Sequence, residues 1–500
     1  LGITNKINER VYPMYSNLAE LTSHPVFHYF AEISNIPRGS GNEKEISDYL
    51  VRFARDRNLE VVQDNTLNVI IKKPATAGYN SAPTVIIQGH MDMVCEKNKD
   101  TIHDFEKDPL QLRIVGDMLY ATGTTLGADN GIAVAYALAL LDSNDIPHPS
   151  LEVVITTEEE TTMNGALAVD ASHFEGKILI NIDSEEDGKL LVSSAGGIRV
   201  RQILPIIWEP ASNTEVTYCI SIRGLKGGHS GISINKERGN SNKLLGRLLQ
   251  DLTTEFPCSV QQISGGLKGN AIPREAEVSV LIHLDDVQEI AEKIQQWDET
   301  FKNELQSSDP EVWIGFEKSD SSSTKVLSKE TVRKAITSLL LIPHGVQGMN
   351  MGIEGLVESS TNLGVVTTTD TEMKFESEIR SSVKSMKYNM VTQAKALAEM
   401  LGCELLIDAD YPEWPYNPES KLKKLFEQTY NEKYNNEIEI IAVHAGIECG
   451  VFIDKIPGLD AVSIGPDMFA VHTPDEHLSI PSAINNWEYL VYTLKRMKDL

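Results

Sequence analysis

Cysteine is scarce in this chain, with five in 500 residues. Cys95, Cys219, Cys258, Cys403 and Cys449 are odd in number and never spaced C-x-x-C. That argues against a disulfide framework or a cysteine-bound zinc knot, and it fits a reducing compartment. Positive charge is also short: 45 Lys and Arg against 72 Asp and Glu give a net charge of −27. Nucleic acid and anionic membrane surfaces are therefore not expected partners. No apolar run approaches the ~18 residues of a membrane span. Residues 1–16 lack the apolar core of roughly 7–15 residues found in a secretory signal. Cytoplasm is the expected location. Several catalytic motifs are missing too. There is no H-E-x-x-H, G-x-S-x-G, G-x-x-x-x-G-K-[ST] or G-x-G-x-x-G. These absences count against single-zinc peptidase, serine hydrolase, P-loop and dinucleotide-binding readings.

What remains is a soluble globular composition, 41% apolar and 23% charged. The length exceeds one ordinary core, so two domains, or three, are expected. Helical spacing of Phe27, Phe30 and Ala31, and of Ile46, Leu50, Phe53 and Ala54, predicts two helices around the Pro37–Gly41 break. Val61–Val62 and Asn68–Ile71 read as a hairpin. Apolar strands then end at Gly89-His90-Met91-Asp92-Met93, at Thr156-Thr157-Glu158-Glu159-Glu160 and at Asp183-Ser184-Glu185-Glu186. Between the first two, Gly127-Ala128-Asp129-Asn130-Gly131 opens an apolar helix over 132–141. Strands alternating with helices predict an α/β domain.

From about residue 200 the strands alternate apolar and polar, as at 217–223 and 277–283. Helices are predicted near 240–253, 285–306, 328–340 and 384–401. The pattern predicts an antiparallel sheet with helices on one face. The strand ending at Arg223 is echoed by the one ending at Arg380, hinting at two similar halves. Strands at 438–442 and 461–464, with helices at 422–434 and 484–497, return to the α/β pattern. The expected division is one domain over 1–200 and 403–500, split by an inserted domain over 201–402.

His90, Asp92, Asp129, Glu158–Glu160, Asp183 and His472 thus collect at strand ends or turns. Ligands bind beyond the carboxyl ends of strands in open α/β sheets. Singly, each has a plainer reading: a solvated His–Asp pair, a helix N-cap, a surface acidic loop. Jointly, they form a His and carboxylate set suited to divalent cations such as Zn2+, Mn2+ or Co2+. In cocatalytic hydrolases such a set holds two ions about 3.5–4 Å apart.

The long motifs Thr122–Gly131, Gly224-Leu225-Lys226-Gly227-Gly228-His229-Ser230-Gly231, Asn270–Glu275 and His444–Gly450 join those above. Together they resemble peptidase family M20, and within it the aminoacyl-histidine dipeptidases, over residues from about 25 to the end. The resemblance implies a discontinuous zinc-peptidase-like catalytic domain, a mixed sheet flanked by helices, with an inserted α+β lid. It implies two divalent ions, with Zn2+ the first choice. His90, Asp129 and Asp183 would hold one, and Asp129, Glu160 and His472 the other. Glu159 would be general base and acid, with Met163–Ala166 setting the register of the triplet, and Asp92 would orient His90. His229 would be catalytic and substrate-binding, supporting the oxyanion. Asn270, Arg380 and Gly446 would bind substrate. The Asp129–Asn130 peptide is expected to be cis. The implied reaction is hydrolysis of dipeptides, Xaa-His or broader, by a metal-activated water. N-acyl-amino-acid deacylase and tripeptide aminopeptidase are the alternatives, and a catalytically silent binding module is the non-enzyme one. A homodimer is the expected assembly.

Overall fold

The computed structural model describes residue 15 and residues 17–212, 214–319 and 324–500. The expectation for residues 1–16 falls largely outside them. Two compact units are present. The first comprises Leu1–Val192, Asn417–Ile441 and Val451–Leu500, and the second Ser193–Tyr416 with Ala442–Gly450. The expected boundaries at 200 and 402 differ from these for a simple reason. Strand Gly196–Pro205 pairs antiparallel with Glu404–Tyr411, so cuts there would divide paired strands.

The first unit is built on a mixed sheet. Its strand Val85–His90 is flanked by Leu151–Thr156 and Ile178–Asn181, both parallel to it. Asp460–Ser463 continues the parallel set beyond Ile178–Asn181. The hairpin Glu60–Gln63 and Val69–Lys73 completes one side in antiparallel sense. Every residue of Val85–His90 and Leu151–Thr156 is buried, which explains their near-unbroken apolar sequence. Helix Ala128–Asp142 is apolar on all sides because it is buried on all sides, packed against helix Pro25–Ser34 and the His90 strand.

The register decides where the chemistry goes. His90 is level with Thr156, and Asn181 with both Gln88 and Ser463. The segments that follow these strands therefore leave from one edge of the sheet. A small hairpin, Met468–Phe469 with His477–Ser479, carries His472 in its turn. No helix among the described residues is long and apolar enough to cross a membrane.

The second unit has a nine-stranded antiparallel sheet. Ile220, Ile222, Val278, Val280 and Ile282 are buried, while their neighbours Ser221 and Glu277 are not. The buried side chains pack with those of helices Ser241–Glu255, Val287–Glu304 and Lys329–Leu341 in one core. The two echoed strands, Glu215–Arg223 and Glu372–Ser381, lie in this same sheet.

Candidate active site

His90 ends its strand with the ring 1% exposed. Its Nε2 lies 3.2 Å from Asp129 Oδ1 and 3.4 Å from Asp183 Oδ1. Asp129 extends its other oxygen to His472, with Oδ2 3.1 Å from Nε2. His472 Nε2 is also 3.0 Å from Glu160 Oε2. One carboxylate thus faces two imidazoles. Asp129 reaches this position because the chain is not helical at its first turn: Asp129 and Asn130 have ψ of 107° and 34°, and the peptide between them is cis, as expected. The Asn130 side chain accepts the His90 N–H at 3.2 Å and donates to the Ile182 carbonyl at 2.5 Å, fastening two strand ends to the start of the helix.

The acidic triplet divides, with Glu158 turned one way and Glu159 and Glu160 another. Glu158 has φ +53°, and its carboxylate accepts from the Asn164 side chain. Glu159 and Glu160 instead face the cluster, with Glu159 Oε2 3.9 Å from His90 Nε2. Asp92 Oδ1 lies 3.2 Å from His90 Nδ1, the orienting position expected of it. It does more than sequence reasoning foresaw. It also accepts the Glu159 N–H at 3.1 Å, the Glu160 N–H at 3.3 Å and the Ser40 hydroxyl at 2.8 Å.

The electrostatics fit a cation. Burial opposes charge on His90, yet Asp183, Asp129 and Asp92 outweigh it and hold its pKa well above the usual. Hydrogen bonds to the Asp129 and Glu160 carboxylates raise His472 to about 11. Burial raises Asp183 to about 6 and Glu185 to about 7, with neighbouring carboxylates adding to the effect on both. Asp183 Oδ1 is buried and accepts no hydrogen bond. Groups His90–Asp129–Asp183 and Asp129–Glu160–His472 each converge with ligand atoms within 4.8 Å. A third grouping, His90–Glu159–Glu160, meets the same limit. This N and O donor set can hold divalent metal.

The second unit gathers its own candidates. His229 Nδ1 accepts N–H bonds from Gly231 at 3.1 Å and Ile232 at 3.2 Å, which leaves the neutral ring's proton on Nε2. Burial, then Arg380, lowers its pKa to about 4. The Asn270 carbonyl accepts the Ser230 N–H, and Ser230 Oγ lies 3.4 Å from Arg380 Nε. The Arg380 guanidinium, nearly buried, donates to Tyr411 Oη at 2.5 Å. Gly446 lies in the loop after strand Glu439–Val443. In that loop His444 Nε2 is 2.7 Å from Ser360 Oγ, and the His444 carbonyl closely overlies Gly231. Tyr411 and Ser360 gave no periodic or motif signal of a role here, and His444 was marked only as the first residue of the His444–Gly450 motif.

The chain belongs to peptidase family M20/M25/M40, whose model matches residues 86–496. It is 37% identical over 484 residues to the cytosol non-specific dipeptidase of Escherichia coli, covering 96% of this chain and 99% of that protein. The crystal structure of aminoacylhistidine dipeptidase from Vibrio alginolyticus superposes with a TM-score of 0.88 at 36% identity, over 96% of this chain and 98% of that one. A tripeptidase from Staphylococcus aureus, 16% identical with a TM-score of 0.54 over 95% and 98% of the two chains, shares the fold.

Proposed function

We propose that this chain is a dipeptidase that hydrolyses the single peptide bond of Xaa-His and other dipeptides with two divalent cations. The observation that carries the reading is the placement of Asp129, one oxygen 3.2 Å from His90 and the other 3.1 Å from His472. A carboxylate shared between two imidazoles has the form of a bridging ligand. His90, Asp129 and Asp183 would hold one cation, and Asp129, Glu160 and His472 the other. Zn2+ suits the set best, with Mn2+ and Co2+ as alternatives. When bound, the pair polarises the scissile carbonyl and acidifies an attacking water.

The remaining work falls to the chain. Glu159 takes the proton from the water and delivers it to the leaving amine. Asp92 holds both the His90 ring and the Glu159 backbone, so base and ligand keep a common origin. His229, neutral with its proton on Nε2, donates to the developing oxyanion. Arg380 takes the free carboxylate, for which its planar fork is suited. Asn270 and Gly446 add contacts to the same substrate. The E. coli relative is a cytosol enzyme, and five free cysteines fit that compartment for this chain too. Homodimeric assembly follows the family resemblance, and light scattering checks it.

Dipeptides are favoured over tripeptides and N-acyl amino acids because the two relatives near 37% identity are named as dipeptidases. The test is a panel of Xaa-His, other dipeptides, tripeptides and N-acetyl amino acids, run with Zn2+, Mn2+ or Co2+ supplied. Dipeptides should be cleaved fastest. No cleavage of any dipeptide would overturn the proposal, and preference for another class would transfer the function to it.

A further inference from the structure

Two buried charges of the first unit have no part in the chemistry above. Arg38 and Glu476 are each 2% exposed. Removing an ion from water costs several kcal/mol, so the partners of each show what it holds.

Glu476 accepts the backbone N–H groups of Leu126 at 2.8 Å, Gly127 at 3.0 Å and Ala128 at 2.8 Å, with that of Asp129 at 3.5 Å. These are the free amides of the turn that opens the Asp129 helix. Its own N–H donates to the Thr473 carbonyl, in the turn of His472. One side chain therefore ties the His472 turn to the Asp129 loop. Arg38 grips the same loop through other atoms. Its Nη2 donates to the Gly127 carbonyl at 2.5 Å, and its Nη1 to the Met91 carbonyl at 3.0 Å, with that of Asp92 at 3.4 Å. It ties the segment after His90 to the Asp129 loop. The approach is close: a Cβ at Gly127, where φ is +64°, or at Gly131 would meet Arg38 Nη2 at 2.6 Å. Neither residue bonds a side chain of the candidate metal set.

We propose that Arg38 and Glu476 are positioning residues that fix the spacing of His90, Asp129 and His472 and thereby set the affinity for divalent cations. The inference rests on the metal-binding reading above. A role in stability alone makes a different prediction. The unit would then soften without any change in cation affinity of the folded protein.

The experiment measures Zn2+ dissociation constants of the full chain by competition with a chromophoric chelator, alongside circular dichroism and Tm of the metal-free protein. Variants are Glu476→Gln, Arg38→Met and Glu152→Gln. Glu152 is the matched control, an equally buried carboxylate that accepts the Glu175 and Gly176 N–H groups and pairs with Lys72. Glu476→Gln and Arg38→Met should weaken Zn2+ binding by about 10–100-fold, the usual effect of losing a group that orients metal ligands. Glu152→Gln should lower Tm and leave Zn2+ affinity unchanged. Unchanged affinity in both site variants would overturn the proposal. Should either single variant not fold, Glu476→Asp and the charge-balanced double variant Arg38→Met/Glu476→Gln carry the same test. A wild-type chain that binds no Zn2+ would remove the metal reading and this inference together. Wild-type binding with unaltered variants would remove this inference alone.

Discussion

Asp92 Oδ1 lies 3.2 Å from His90 Nδ1, and the same oxygen accepts the Glu159 backbone N–H at 3.1 Å. The carboxylate is therefore both the orienter of an imidazole and the anchor of the acidic turn. Asp92→Asn keeps the shape but offers one accepting oxygen in place of two. It should weaken metal binding by about 10–100-fold and lower kcat as well, because the Glu159 backbone loses its hold. Metal titration with steady-state kinetics checks this. A variant with wild-type affinity and kcat would reduce Asp92 to a buried spectator.

Glu159→Gln separates proton transfer from metal binding. The amide cannot accept a proton, so kcat should fall by about 10²–10⁴-fold. Bound metal should remain at the wild-type level, since five other side chains supply the proposed ligands. Metal analysis of the purified variant beside its kcat is the measurement. Full activity would sink the base assignment. Loss of metal would favour the alternative grouping of Glu159 with His90 and Glu160.

Arg380 predicts a different kinetic signature. Arg380→Lys loses the planar fork, so KM should rise while kcat changes less. A hydrogen bond to a charged group is worth about 1.5–3 kcal/mol, or roughly 10–100-fold in kcat/KM. Tyr411→Phe removes the phenol that accepts from the guanidinium and should shift KM in the same direction by less. Dipeptides amidated at the carboxyl end give the contrast. The wild type should reject them, and Arg380→Lys should discriminate less.

Acid should unfold the second unit through its histidines. Burial lowers His229 to about 4, His344 to about 4 and His444 to about 3. Arg380 adds to the first and last shifts, and Lys243 to the second. An unfolded imidazole titrates near about 6.5. Between those values the unfolded chain binds more protons, so stability rises with pH. It should be whole above pH ~6.5 and lost as pH falls toward ~4, by about 4 kcal/mol per pH unit at the steepest for three such groups. Urea unfolding across that range measures the slope. His344→Asn should flatten it by about one third. An unaltered slope would show that His344 is not among the titrating groups.

The elements were legible wherever apolar spacing was regular. The buried strands, the helix after Gly131 and the alternating strands of the second unit announced themselves because one face, or all faces, had to leave water. The candidate cluster could be gathered from the sequence because His90, Glu159, Glu160 and Asp183 end or follow those strands, while Asp129 and His472 came from a glycine-flanked helix start and a turn. Arg38, Ser40 and Glu476 could not. They lie in turns that contain proline, and their partners, backbone groups for Arg38 and Glu476 and the Asp92 carboxylate for Ser40, are far away in sequence. Such pairing leaves no period and needs no special residue type at the other end. The second role of Asp92 was hidden likewise, since a backbone N–H carries no sequence signature. Glu158 differs from its neighbours in φ and in its Asn164 partner, which three identical side chains cannot reveal.

Strand Ile178–Asn181 waits for its parallel neighbour Asp460–Ser463, which lies beyond the entire inserted unit. A ribosome delivers the two far apart in time. Until the later strand arrives, one side of the earlier one is an open row of peptide donors and acceptors, the kind of edge on which chains aggregate. The inserted unit has most of its own sheet to close in the interval. Interrupted synthesis would therefore leave a folded middle joined to an adhesive, half-finished sheet. The soundness of the first sheet in a cell depends on Asp460–Ser463 being made.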